Sequence, residues 1–108
     1  VPADGGRAGK VAGKNMVVGV LRIRLGIFEA LSLKDKRRVV KSLKDRLAAR
    51  HNISIAEIDD LDHRQAATLA VVMVSNDARF VDSALSRIVD EIRAFGRASL
   101  LDYDIELW

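Results

Sequence analysis

Hydrophobic and polar positions along residues 16–28 alternate with the period of a strand: Leu21, Ile23, Leu25 and Ile27 share one face, Arg22 and Arg24 the other. The period then lengthens. From Ser32 the apolar positions Leu33, Val40, Leu43 and Leu47 form one stripe of a helix that runs to about His51. Ser32 is its N-cap, and Asp35, three residues on, occupies a capping-box position. Residues 53–58 form a short strand, followed by an acidic turn with Asp59, Asp60, Asp62 and His63. Residues 66–75 are almost continuously apolar, which suits a central strand covered on both faces. Asn76 or Asp77 caps a second helix with the stripe Val81, Ala84, Leu85, Ile88, Ile92 and Phe95, and Gly96 stops it. Residues 100–107 return to alternation: Leu101, Tyr103, Ile105 and Leu107 against Asp102, Asp104 and Glu106.

The order βαββαβ predicts an α+β domain of ferredoxin-like topology. Two right-handed crossovers give a four-stranded antiparallel sheet with both helices on one face. The first and last strands are then neighbours, and Arg22 and Arg24 face Asp102, Asp104 and Glu106 as cross-strand charge pairs. Val18, Val20 and half of the 66–75 strand point away from the helices. An apolar strip rimmed by charge is a candidate homodimer interface on the open sheet face.

Composition narrows the function classes. With 108 residues, 49% hydrophobic and 31% charged, the chain is globular and holds one domain, residues 16–108. Residues 1–15, rich in Gly and Ala and without periodicity, read as a disordered tail ahead of Met16. The tail has no apolar core of a signal peptide, and no run approaches the ~18 apolar residues of a membrane span. The absence of cysteine excludes disulfides, thiolate catalysis and cysteine-based zinc sites, and fits a cytoplasmic location.

Charge changes the picture most. The chain carries a net +3, but the first helix has eight basic and two acidic residues. Lys34, Lys36, Arg37 and Arg38 crowd its first turns, where the helix dipole disfavours cations by roughly 0.3–1 kcal/mol each. Lys34, Arg37, Lys41 and Lys44 line one flank, while Lys36 falls inside the apolar arc and is expected to snorkel out past the sheet end. With the Ser32 hydroxyl and the free N–H groups of the helix end, these side chains make a candidate anion site. The candidate residues are Ser32, Lys34, Lys36, Arg37, Arg38, Lys41 and Lys44, and the expected partner is RNA or a ribosomal particle. The strands offer no exposed aromatic pair, so RNA contact would run through phosphates and shape rather than stacked bases.

No catalytic constellation is legible, and no metal or cofactor is expected. The acidic turn lacks the spacing and the glycine of a calcium loop. Ser75, Asn76 and Asp77 stand where a strand gives way to a helix, and capping accounts for all three. His51 helps terminate the first helix. The expected function is a non-catalytic accessory protein; a protein-interaction module on the open sheet face is the alternative.

The stretch MVVGVLRIRLGIFEALSLKDKRRVVKSLKDRL from Met16 resembles the YlxP-like family of small bacterial proteins of unknown function. ISIAEI, AVVMVSND and LLDYDIE are similar to later parts of that family, and SLKDKRRVVKSL is the most specific segment. The resemblance covers nearly all of residues 16–108 and implies a ferredoxin-like fold. Genes of the family often neighbour those for translation initiation and ribosome maturation, which implies an RNA or ribosomal context. The family carries no established catalytic residues, so the resemblance implies none here.

Overall fold

A computed structural model describes residues 15–108, so all but Asn15 of the tail assigned to residues 1–15 lies outside the described residues. The elements run β1 (Val17–Gly26), α1 (Leu33–Arg50), β2 (Ser54–Asp59), β3 (Ala66–Ser75), α2 (Ala78–Ala94) and β4 (Ser99–Leu107). They form one antiparallel sheet of order β2-β3-β1-β4. The arrangement is ferredoxin-like: α1 lies over β2, and α2 over β1, β3 and β4. The long-period stripes and the inward strand positions close one core. Leu21, Ile23, Leu25 and Ile27 of the first strand segment meet Val39, Val40, Leu43 and Leu47 of α1 and Val81, Leu85, Ile88 and Ile92 of α2.

Both helices end as their sequences require. The Ser32 Oγ accepts from the Asp35 N–H, and the Asp77 side chain accepts from the Phe80 N–H. Gly96, at φ 84°, takes the left-handed position after α2 that a residue with a Cβ adopts only under strain.

Three expectations are corrected. β3 is central, but helices cover one face only, so Val72 and Val74 stay 39% and 58% exposed on the other. In β4 the register slips at Leu101: Arg24 pairs with Asp102, yet Leu25 pairs with Leu100. That bulge turns Leu100 towards the core and leaves Leu101 exposed, because one extra residue inverts the faces beyond it. The third concerns charge. Arg22 pairs with Asp104 (3.2 Å) and Glu106 (2.6 Å), but Arg24 turns the other way, to Asp60 at 3.7 Å.

Candidate anion-binding surface

The start of α1 shows how its cations are arranged. Asp35 accepts from the Leu31 N–H at 3.0 Å while its own N–H donates to Ser32 Oγ at 3.1 Å. The Lys36 N–H donates to the Ser32 carbonyl. A carboxylate therefore already answers the helix dipole, and Ser32 serves as a cap. What the helix offers an anion lies on its flank. At 100° per residue, Lys34, Arg37, Arg38, Lys41 and Lys44 fall within about 120° of arc, opposite the buried stripe. The first four are exposed and Lys44 is half-buried. Among the described residues only Lys41 of this set has an ion pair, with Asp45 at 2.6 Å. Arg46 lies outside the ridge, its guanidinium 5.1 Å from the Phe95 ring centroid.

Lys36 does not belong to this surface. Its side chain is 0% exposed and does not snorkel. The stem follows the core arc of α1, and the ammonium ends inside the β2–β3 turn. There it donates to Glu57 Oε2 at 2.8 Å and to the carbonyls of Asp60 (2.9 Å), Leu61 (3.2 Å) and Ala66 (3.2 Å). An ammonium with three donors and four acceptors in reach has no capacity left for a ligand. Glu57 is the residue the sequence reading missed. Its signal was present: in ISIAEI it occupies the same inward parity as Ile53 and Ile55, where a lone carboxylate needs a buried cation.

The acidic turn is occupied by its own hydrogen bonds. Asp59 accepts from the Asp60 N–H, Asp60 from the Thr68 hydroxyl at 2.6 Å, and His63 Nδ1 from the Gln65 N–H. Among the described residues no three metal-ligating side chains of the His, Cys, Asp and Glu types come together. Asp60 takes φ 61°, a left-handed conformation that aspartate tolerates. The Thr68 hydroxyl chiefly holds its carboxyl below the usual range, against the cost of desolvation, with Arg24 and His63 adding to the effect. A carboxyl lowered in the folded state stabilises the fold above its unfolded value and loses that contribution as pH falls through the folded value. Thr68→Val should therefore narrow the difference in urea midpoint between pH 7 and pH 3, a difference set by comparing both proteins at both pH values.

At the far end of α1, His51 caps the helix through its N–H to the Leu47 carbonyl and turns its ring to α2, with Nε2 2.8 Å from Glu91 Oε2. Arg50 stands 3.7 Å from Glu91 Oε1, which is buried and has no hydrogen-bond partner among the described residues.

Residues 18–105, from β1 into β4, match the family described as Protein of unknown function (DUF503). The chain belongs to this family. The DUF503 match takes in the basic ridge, the Lys36–Glu57 pair and the His51–Glu91 pair together. The "Uncharacterized protein YlxP" of Bacillus subtilis (strain 168) is 30% identical over 79 residues, 73% of this chain and 86% of that protein. Among solved structures, the de novo designed protein Foldit4 superposes with a TM-score of 0.52 at 17% identity, over 86% of this chain and 96% of that one. A dimeric ferredoxin-like protein from an uncultured marine organism reaches 0.44 at 9% identity, over 91% and 90%. The designed protein shares the DUF503 chain's fold, and at that identity the likeness extends no further.

Proposed function

We propose that this DUF503 protein is a non-catalytic, cytoplasmic accessory factor that binds RNA or a ribosomal particle through the α1 ridge. The observation that carries the reading is the ridge itself. Lys34, Arg37, Arg38, Lys41 and Lys44 share one flank, and only Lys41 is neutralised within the described residues. Exposed cations held on a rigid helix suit a polyphosphate, whose affinity comes from released counterions. No described helix is long and apolar enough to cross a membrane.

Binding of ribosomal RNA should fall steeply as salt rises, and Arg37→Glu/Lys41→Glu should weaken it at least tenfold. Each lost phosphate contact should lower the slope of log affinity against log salt by about 1. Sedimentation of both proteins with rRNA at several salt concentrations reads this out; equal binding would overturn the proposal. The ridge would then be only a solvated face, and the aliphatic strip of Val18, Val72 and Val74 would become the working surface; Val20, expected in that strip, is buried. That second reading, a homodimer through the open sheet, draws its support from the exposure of Val72 and Val74.

A further inference from the structure

Beyond the ridge, a cavity of about 420 Å³ opens beside the end of α1. Strand lengths create it. β2 begins at Ser54, opposite Val72, while β3 runs on to Ser75 and stays paired with Val17 of β1. The last three residues of β3 thus have no neighbour on the β2 side. Arg50 and Asn52 close the notch from one wall, and Phe80 and Arg87 of α2 close it from another.

We propose that this cavity binds a single nucleotide as its monophosphate, with the base against Phe80 and the phosphate between Arg50 and Arg87. Phe80 is 56% exposed beside the buried stripe of α2, and it lines the cavity together with Met73, Val74 and Ala84. A planar ring open at a cavity wall suits stacking of a base. The guanidiniums suit a phosphate, which they grip by paired N–H donors. Arg87 makes no ion pair with any described residue, although two acids lie one turn further along α2. Asp90 pairs with Arg93, and Glu91 is taken by His51 and Arg50. Both acids are thereby engaged with other side chains, Glu91 with Arg50 itself at 3.7 Å. Among the described residues no carboxylate lines the cavity and no hydrogen bond is made by the Asn52 and Ser75 side chains, leaving them for a base edge or ribose. The volume lies within the ~300–1,000 Å³ of small-molecule sites.

The nucleotide has two sources, free in solution or as an unpaired residue of an RNA held on the ridge; only the second rests on the function proposed above. Titration of the full chain with adenosine monophosphate, followed by amide NMR, tests the cavity directly. Saturable shifts are expected at residues 50–52, 73–75 and 80–87. Adenosine and inorganic phosphate, each alone, should bind at least tenfold more weakly. Phe80→Leu should weaken the monophosphate about tenfold, and Arg87→Gln and Arg87→Glu should abolish its binding. The ridge variant Arg37→Glu/Lys41→Glu should bind it as wild type does.

Absence of saturable shifts into the millimolar range would overturn the proposal, as would shifts that survive Arg87→Glu or vanish with the ridge charges. Binding of rRNA without the monophosphate overturns the cavity site and leaves the ridge standing. Binding of the monophosphate without rRNA upholds the cavity with a free nucleotide as ligand, and overturns the ridge.

Discussion

Replacing Glu57 with leucine should destabilise the domain by about 3–5 kcal/mol, the cost of leaving a buried charge without its partner. The Lys36 ammonium is enclosed completely, whereas the Glu57 side chain keeps 15% of its surface. Three backbone carbonyls remain on the ammonium after the substitution, but none carries a countercharge. Lys36→Met should cost a similar amount, about 3 kcal/mol, for a different reason. It removes the charge and leaves the carbonyls of Leu61 and Ala66 without the ammonium, each at about 1–3 kcal/mol where water does not reach, while the Asp60 carbonyl keeps the His63 N–H.

The double substitution Lys36→Met/Glu57→Leu should lose less than the sum of the singles by about 0.5–3 kcal/mol, since it leaves no unpaired charge. It should still fall short of the wild type, because the Leu61 and Ala66 carbonyls stay without the ammonium. Urea unfolding followed by circular dichroism measures all three. Against a total stability of about 5–15 kcal/mol, either single loss is large enough to read without ambiguity. Strict additivity, or single losses under about 1 kcal/mol, would show that the pair does not hold the β2–β3 turn.

Lys36 and Glu57 also mark where the sequence was legible and where it was not. Each is visible alone as a charge at an apolar position, Lys36 inside the α1 stripe and Glu57 at inward parity in β2. That they solve one another depends on α1 lying over β2, a long-range fact without local pattern. The elements themselves were legible because helix and strand periods differ and the caps are explicit. The Leu101 bulge was only half legible: the alternation of β4 breaks at the adjacent Leu100 and Leu101, but only pairing with β1 exposes the extra residue. The exposed faces of Val72 and Val74 were misread for a related reason. An apolar strand reads as doubly covered whether or not a second layer exists.

The ridge on α1 could be named from helical angles alone. Which of its cations are neutralised could not, since the turn of Lys41 to Asp45 depends on side-chain conformation and not on helical angle. The cavity was hidden because Arg50, Ser75, Phe80 and Arg87 come from separate segments. Taken singly, Ser75 reads as a capping residue and the other three as positions on two separate helices.

Gly19→Val should cost about 1–3 kcal/mol, the usual penalty for forcing extra methyl groups into a close-packed core. Gly19 lies at an inward position of β1, between Val17 and Leu21. A Cβ there would collide with Val81 Cγ1 and sit 2.8 Å from Leu85 Cδ1. Val81 and Leu85 are fully buried one turn apart on α2, so neither can swing aside, and the helix would have to lift. A glycine inside a strand is unfavourable on its own account, which makes close approach of α2 the physical reason for it.

In a domain of this size each lost kcal/mol lowers the melting midpoint by roughly 4–8 °C, so a thermal melt resolves the effect. Gly19→Ala/Val81→Ala should lose less than its two single substitutions together, because trimming Val81 makes room for the new methyl. Displacement of α2 would also carry Arg87 away from Arg50, so Gly19→Ala should weaken any monophosphate held between them more than it weakens rRNA on the α1 ridge. Equal weakening of both ligands would mean that the substitution acts only through global stability, and that the position of α2 does not set the geometry of the cavity.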